Sequence, residues 1–237
     1  MTASGTARDL GAIEVPPGAE APYDCPLCPR LADFVRAQRL VEPAWYNGPV
    51  RSFGSSDARL LIVGLAPGLK GANRTGRPFT GDFAGNLLYA TLLEFGFASG
   101  TFDARPDDGL QLAGTMITNA VRCVPPENKP TPAEIKTCRR FLDARIAALP
   151  RLQAIVALGR IAHDSVLVTL GQRRSGFAFT HGARHRLSTG AGRSMFLYDS
   201  YHCSRYNTNT GRLTTDMFRD VFRAIKADLD ADAVSAS

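Results

Sequence analysis

The order of hydrophobic and polar residues along the chain alternates between two periods. Continuously apolar runs, typical of buried strands, occupy residues 59–64, 115–121, 153–158 and 195–198. Longer segments with apolar residues at helical spacing occupy residues 83–97, 131–149, 159–170 and 214–229. Strands that alternate with helices predict an α/β fold, in which a mostly parallel sheet is covered by helices on both faces.

The helix predicted at residues 131–149 has a clear start signal. Thr131 is a suitable N-cap, Pro132 suits the first helical position, and Glu134 stands three residues after the cap. The ends of the chain lack such patterns, and we expect flexible tails at residues 1–22 and 231–237. Residues 23–230 are then expected to form a single domain, which suits a chain of 237 residues.

The charge of the chain is moderately basic. The formal net charge is +6, and most of the 28 basic residues are Arg, which forks onto phosphates and base edges. This composition is compatible with a nucleic-acid partner, although a GC-rich genome that favours Arg and Ala would give the same composition. No apolar run approaches the ~20 residues that span a bilayer, and residues 1–22 do not resemble a signal peptide. We therefore expect a cytoplasmic protein without a membrane partner.

Four of the five cysteines form two pairs that suit a metal site. Cys25 and Cys28 are separated by two residues, and Cys123 and Cys138 lie on either side of a predicted loop and helix start. Four thiolates can hold a structural Zn²⁺ or an iron–sulfur cluster, and the spacing does not decide between them. The alternative is that Cys123 and Cys138 are unrelated core residues.

The carboxyl ends of parallel strands are where ligands bind in such sheets, which directs attention to the glycine-rich residues 64–82. Glycine lets the backbone approach a ligand closely, and the stretch also carries Arg74, Arg77, Phe79 and Asp82. It matches neither a phosphate-binding P-loop nor a dinucleotide-binding loop.

This stretch and three others resemble the uracil-DNA glycosylase superfamily, and within it the iron–sulfur-containing family 5. The segments that carry the resemblance are the Cys25/Cys28 pair and residues 64–82, 117–128 and 201–212. The resemblance implies a three-layer α/β/α sandwich around a four-stranded parallel sheet. It also implies a [4Fe-4S] cluster whose ligands are Cys25, Cys28, Cys123 and Cys138.

One departure from the wider superfamily bears on the chemistry. Sister families place a polar residue just after the first glycine of the first motif, where it positions the attacking water. Leu65 and Ala66 stand there in this chain, and neither can hold a water molecule. Apolar residues at these two positions are typical of family 5. Another residue is therefore expected to activate the water.

The residue types suggest how a base extruded from the duplex is bound and cleaved. Phe79 is the predicted stacking platform, Gly64 and Ala66 line the base pocket, and Asn119 pairs with the uracil edge. Asp82 orients the hydrolytic water and stabilises positive charge on the sugar, unless its role is only to cap the helix that begins at residue 83. The alternatives for Phe79 and Asn119 are a core aromatic and a strand-ending Asn.

His202 is predicted to donate a hydrogen bond to the uracil carbonyl as charge builds on the leaving base. For His163, a helix-surface or core position is the more common interpretation. Residues 204–212 are predicted to form a wedge loop that enters the duplex, with an ordinary polar loop as the alternative. The predicted DNA-binding residues are Arg74, Arg77, Ser204, Arg205, Tyr206, Asn207, Asn209 and Arg212.

The resulting hypothesis is a monomeric, monofunctional DNA glycosylase that leaves an abasic site. Its partner is double-stranded DNA and also single-stranded DNA containing damaged bases. The expected substrates are uracil, hydroxymethyluracil, ethenocytosine and hypoxanthine, as is typical of family 5. One alternative is a narrow, uracil-only enzyme like those of family 4, against which Leu65 and Ala66 argue. The other is a non-enzymatic, metal-containing DNA-binding module.

Overall fold

A computed structural model describes residues 17–188 and 192–235 of the chain. The strands within these residues are β1 (Phe53–Gly54), β2 (Leu60–Gly64), β3 (Ala98–Ser99), β4 (Gln111–Leu112), β5 (Thr115–Asn119), β6 (Ala154–Leu158), β7 (Arg184–Ser188) and β8 (Ser194–Ser200). The helices are α1 (Pro29–Val41), α2 (Ala72–Thr75), α3 (Phe83–Glu94), α4 (Pro132–Ala147), α5 (Arg160–Thr169), α6 (Arg205–Asn209) and α7 (Thr215–Ser235).

The central sheet has the strand order β1-β5-β2-β6-β8-β7. Its four inner strands, β5, β2, β6 and β8, are parallel, as the sequence predicted. The strand count of four was too low for the part of the chain that the structure describes, because β1 and β7 add antiparallel edges. Both edges lack the continuous apolar run that marks a strand buried on both faces.

Each face of the sheet is covered by a pair of helices, which confirms the three-layer α/β/α sandwich. Side chains alternate along β2, so that Leu60 and Ile62 point to the face covered by α3 and α7. Leu61 and Val63 point to the opposite face, which α4 and α5 cover. The sheet is therefore buried on both sides, and only the ends of its strands are open to a ligand.

The predicted capping box of α4 is confirmed. The Thr131 side chain accepts a hydrogen bond from the Glu134 backbone at 3.3 Å, and the Glu134 carboxylate accepts one from the Thr131 backbone at 2.7 Å. Helix α1 and the short α6 were not predicted. In the structure, α6 takes the place of most of the predicted wedge loop.

The predicted tails are shorter than expected where the structure describes them. Glu20, placed in the N-terminal tail, is buried and forms ion pairs with Arg122 at 3.0 Å and Arg145 at 2.6 Å. These pairs hold residues 19–21 against the domain. At the other end, α7 continues to Ser235, past the predicted boundary at residue 230. The predictions for residues 1–16 and 236–237 lie outside the described residues.

None of the helices in the described ranges is long and apolar enough to span a bilayer.

Candidate active site

Gly64 and Asn119 end two neighbouring parallel strands and are partners in the sheet register. The Asn119 side chain and the Phe79 ring both pack against the α-carbon of Gly64. A β-carbon there would lie 2.7 Å from Phe79 Cζ and closer still to Asn119 Oδ1. Only glycine fits between them, so the structure brings these three predicted base-pocket residues together.

Asn119 carries a buried polar atom without a partner. The residue is 2% exposed, and its Oδ1 has no hydrogen-bond partner in the structure. Leaving a buried acceptor unpaired costs about 1–3 kcal/mol, and such atoms are rare in folded proteins. An unpaired acceptor beside an aromatic ring is what a site for a planar, hydrogen-bonding base requires.

Phe79 reaches this position through a left-handed backbone conformation. Its φ is +52°, which costs a non-glycine residue about 1–3 kcal/mol and is concentrated at functional sites. The Phe79 carbonyl packs against the α-carbon of Gly85 so closely that a β-carbon there would overlap it. The neighbouring structure therefore enforces a conformation that Phe79 alone would avoid.

The His202 ring is a neighbour of the Phe79 ring. The two rings are stacked at an interplanar angle of 30° with their centroids 5.9 Å apart. Burial lowers the pKa of His202 to about 4, so the imidazole is neutral at physiological pH. One ring nitrogen of a neutral imidazole carries a proton that can be donated.

Asp82 caps α3, as the alternative interpretation predicted. Its Oδ1 accepts a hydrogen bond from the Gly85 backbone at 3.2 Å. Its other oxygen, Oδ2, faces the α-carbons of Gly68 and Gly71. Burial raises the pKa of Asp82, and backbone hydrogen bonds from Gly85 and Ala84 partly oppose the shift. The cap uses one carboxylate oxygen; the catalytic role of Asp82 stays a prediction.

Arg77 does not face DNA, and its predicted DNA contact is wrong. The side chain is 4% exposed and forks onto Asp108, with Nη1–Oδ1 and Nη2–Oδ2 distances of 2.8 and 2.7 Å. A guanidinium satisfied in this way has no free edge for a phosphate. Arg74, three residues earlier, is exposed, and its Nε donates to the Lys70 carbonyl.

The segment after His202 presents an aromatic side chain to solvent. Tyr206, in α6, is 71% exposed, and the neighbouring Arg205 lies over the Phe83 ring at 5.2 Å. Ser204 caps α6, and the Asn207 amide donates to the His202 carbonyl at 2.8 Å. These two polar side chains support the segment itself. DNA contacts by Ser204, Arg205, Tyr206, Asn207, Asn209 and Arg212 stay predictions.

An open pocket of about 220 Å³ adjoins His202. Its lining residues are Gly159, Arg160, Phe179, Tyr201, His202 and Arg212. Arg160 lies over the Phe179 ring at 5.4 Å, and Arg212 lies over the Tyr201 ring at 4.6 Å. Arg160, Phe179 and Tyr201 were not among the predicted site residues, although Gly159 and Arg160 follow β6 at the same edge of the sheet.

His163 is a buried structural residue, in agreement with the core interpretation. Its Nδ1 lies 2.6 Å from Asp199 Oδ1, and its Nε2 lies 3.0 Å from the Phe177 carbonyl oxygen. Burial lowers its pKa, but the hydrogen bond and charge of Asp199 outweigh burial, so the net shift is upward. His185 Nε2 is 3.0 Å from the second oxygen of Asp199. This group holds the loop before β7 against α5 and β8.

The four paired cysteines converge on one place. Cys138 belongs to a small hydrophobic cluster, and Cys25, Cys28 and Cys123 pack against it together with Ala66. In addition to burial, the proximity of Cys25 raises the pKa of Cys28, and the proximity of Cys25 and Cys28 raises the pKa values of Cys123 and Cys138. Burial and the neighbouring thiols raise the pKa of Cys123 to about 12 and that of Cys138 to about 11. Cys203 lies elsewhere, and its Sγ is 3.4 Å from the Ala84 carbonyl oxygen.

The chain is similar in sequence to known proteins over most of its length. Residues 51–226 match the model of the Uracil DNA glycosylase superfamily. A type-5 uracil-DNA glycosylase of Thermus thermophilus is 47% identical over 208 residues, covering 85% of this chain and 92% of the relative. One of Pyrobaculum aerophilum is 38% identical over 229 residues, covering 93% and 98%. A type-4 uracil-DNA glycosylase of Sulfurisphaera tokodaii is 28% identical over 172 residues, covering 71% and 70%. The chain therefore belongs to the uracil-DNA glycosylase superfamily, as a member of its type-5 family.

Proposed function

We propose that this protein is a monofunctional DNA glycosylase that extrudes uracil from DNA and hydrolyses the bond between the base and the sugar. The observation that carries the proposal is the unpaired, buried Oδ1 of Asn119 beside the Phe79 ring. The names of the type-5 relatives support the same activity. The product is DNA with an abasic site, and the cytoplasm is the compartment that the proposal assumes.

The base pocket reads uracil by stacking and by one amide. The base stacks on Phe79, because an aromatic face accepts any planar base. The Asn119 amide offers one donor and one acceptor, which match the O4 acceptor and the N3–H donor of the uracil edge. Cytosine presents the opposite polarity at these two positions and leaves both groups unpaired, which makes it a poor substrate.

His202 assists departure of the base. As the glycosidic bond breaks, negative charge builds on the uracil ring, and a neutral imidazole N–H can donate a hydrogen bond to the O2 carbonyl. Because the pKa of His202 is lowered, its imidazole is already in the neutral form that donates this hydrogen bond. The contact between the His202 and Phe79 rings, with centroids 5.9 Å apart, supports this role.

Asp82 supplies a carboxylate that orients water and stabilises the oxocarbenium-like sugar. Its Oδ2, turned toward Gly68 and Gly71, is the oxygen that the helix cap leaves for this purpose. Asp82→Asn separates the two roles, because Asn caps a helix as well as Asp does but carries no charge. We expect single-turnover excision to fall about 10²-fold or more with unchanged thermal stability. The exposed Asp107→Asn is the matched control.

The DNA surface surrounds this pocket. Arg160 and Arg212 contact phosphates next to the extruded nucleotide, and each guanidinium is held over an aromatic ring. Tyr206 fills the space that the base vacates, since it is the aromatic side chain that α6 presents to solvent. Single-stranded DNA is also a substrate, and the protein acts as a monomer.

A [4Fe-4S] cluster is held by Cys25, Cys28, Cys123 and Cys138. The donor set fits, because the four thiols converge on one place and the pKa values of Cys28, Cys123 and Cys138 are raised, so that these thiols ionise together only when a cation compensates their charge. When bound, the group supplies a covalent link between the start of α1, the loop after β5 and helix α4. Iron and zinc analysis of purified protein distinguishes this assignment from a structural zinc site.

The substrate range is proposed to extend to hydroxymethyluracil, ethenocytosine and hypoxanthine. The test is a panel of labelled duplexes, each with one of these bases, treated with the protein and then with alkali. Strand cleavage at uracil alone would contradict the broad range and favour a uracil-only enzyme. Binding to every duplex without cleavage at any base would refute the enzymatic proposal and favour a DNA-binding module. Asn119→Ala is the negative control for contaminating activity.

A further inference from the structure

Arg77, excluded above as a DNA contact, joins the glycine-rich loop to another part of the chain. Both amino groups of its guanidinium bind Asp108, whose side chain has no exposed surface. Asp108 also accepts hydrogen bonds from the backbone of Asp103 at 2.9 Å and of Leu110 at 3.1 Å. The guanidinium is thus fixed to the connection between β3 and β4, a segment with no other role in the site.

The third nitrogen of Arg77 holds the backbone around Phe79. Arg77 Nε donates to Thr80 Oγ1 at 2.7 Å, and this hydroxyl in turn donates to the Pro78 carbonyl at 3.2 Å. The Tyr89 hydroxyl donates to the same carbonyl at 2.6 Å. The residues immediately before and after Phe79 are therefore both tied to one buried guanidinium.

The surroundings of the guanidinium are aromatic. The rings of Phe53, Tyr89 and Phe102 lie 5.2, 5.5 and 5.9 Å from its central carbon. A cation enclosed by rings and bound by a forked carboxylate cannot rotate without losing several contacts at once. Although burial opposes ionisation of Asp108, the hydrogen bonds from Arg77 and from the backbone hold its pKa well below the usual range.

Phe79 needs such a restraint because its own backbone does not favour the conformation. At φ +52° a phenylalanine is strained, and relaxation to a negative φ would move the ring away from Gly64 and Asn119. We propose that the Arg77–Asp108 pair is a positioning element, which holds the Phe79 ring where an extruded base stacks. This inference rests on the proposed function, because stacking is the property that the pair protects.

Three substitutions test the proposal at different strengths. Arg77→Met removes the fork and keeps the length of the side chain, Arg77→Lys keeps the charge without the fork, and Asp108→Asn removes the carboxylate charge. Ile225→Ala, on the buried side of α7, serves as the control that destabilises the core without removing a hydrogen-bond partner of Arg77 or Asp108. The wild type and all variants are compared at a temperature where each is folded.

Three measurements are made on each protein. These are the single-turnover rate on a uracil duplex, the inhibition constant of free uracil, and the Kd for an undamaged duplex. We expect Arg77→Met and Asp108→Asn to lower the rate at least about tenfold and to weaken uracil inhibition by a similar factor. The Kd for undamaged duplex stays unchanged, Arg77→Lys falls in between, and Ile225→Ala retains the wild-type rate.

Other outcomes overturn the proposal. If Arg77→Met loses affinity for undamaged duplex while Asp108→Asn does not, then Arg77 is a DNA contact after all. If both variants match Ile225→Ala in rate and uracil inhibition, the pair only stabilises the fold. Hydrogen exchange of residues 76–84 gives a readout that is independent of activity. Faster exchange in Arg77→Met than in Ile225→Ala supports the restraint even if the wild type proves to excise no base, whereas equal exchange refutes it.

Discussion

The Asn119 side chain lies directly over the α-carbon of Gly64, its partner in the parallel register of β5 and β2. The base pocket therefore depends on the absence of a side chain at residue 64. Because the contact is formed by a β-strand backbone and a buried amide, neither neighbour can yield easily. The relationship gives the most direct test of the pocket.

Gly64→Ala is expected to abolish most of the excision activity. The added β-carbon would lie 2.7 Å from Phe79 Cζ and must displace both Phe79 and Asn119. We expect a loss of at least about 10²-fold in single-turnover rate, with about 1–3 kcal/mol of stability lost to overpacking. Gly176→Ala is the matched control, since that glycine has open space around it. Equal rates for the two variants would contradict the position of the pocket.

Asn119→Asp is expected to lower uracil excision by roughly 10²-fold or more. The substitution keeps the size of the side chain but replaces its donor with a second acceptor, which faces the O4 of uracil unfavourably. Rates on uracil duplexes at saturating protein measure the effect. A rate within about twofold of wild type would mean that the amide does not read the base.

The pH dependence of the free energy of unfolding is expected to reflect the titration of His202. Its folded pKa is about 4, below the ordinary value of 6.5, so between these values the unfolded chain binds a proton that the folded chain does not. Stability therefore falls as the pH drops from about 6.5 towards 4. His202→Gln should lose less stability over this range. Urea unfolding of both proteins at about pH 5 and pH 8 measures the difference, in which the contribution of His163 cancels. Equal losses of stability in the wild type and in His202→Gln would disprove the lowered pKa of His202.

Replacing a paired cysteine is expected to remove the metal. Cys138→Ser should lose iron and acid-labile sulfide and become less stable, because a hydroxyl is a poor ligand for iron–sulfur clusters. Cys203→Ser is the matched control, being equally buried but outside the cysteine cluster. Retention of iron by Cys138→Ser, or its loss from Cys203→Ser, would refute the ligand set.

The parts of the fold that the sequence predicted are those with a local pattern. The four parallel strands are continuously apolar, and the Thr131–Glu134 capping box is contained in four residues. Strand β7 was not predicted because its side chains alternate between exposed and covered positions at the edge of the sheet. Helix α1 was not predicted because few of its residues are buried, so its apolar face is narrow.

The position of a site residue could be predicted only where the local sequence offered one simple explanation for its residue type. Phe79 and Asn119 lie beside Gly64, as the sequence predicted. Both positions could be predicted because Asn119 ends a strand and Phe79 belongs to the glycine-rich loop that follows a neighbouring strand. Arg77 was assigned to DNA because an arginine in such a loop is most simply explained by a phosphate. Its partner, Asp108, lies 31 residues away in the connection between β3 and β4, and pairing over that distance leaves no local pattern.

The two antiparallel edge strands of the sheet have a consequence for how copies of this protein meet. At one edge β1 is only two residues long, and at the other β7 exposes Arg184 and Arg186. A short edge and an edge that carries exposed charged side chains are both poor templates for a strand from another molecule. Both described edges of the sheet therefore disfavour edge-to-edge pairing between copies of this protein.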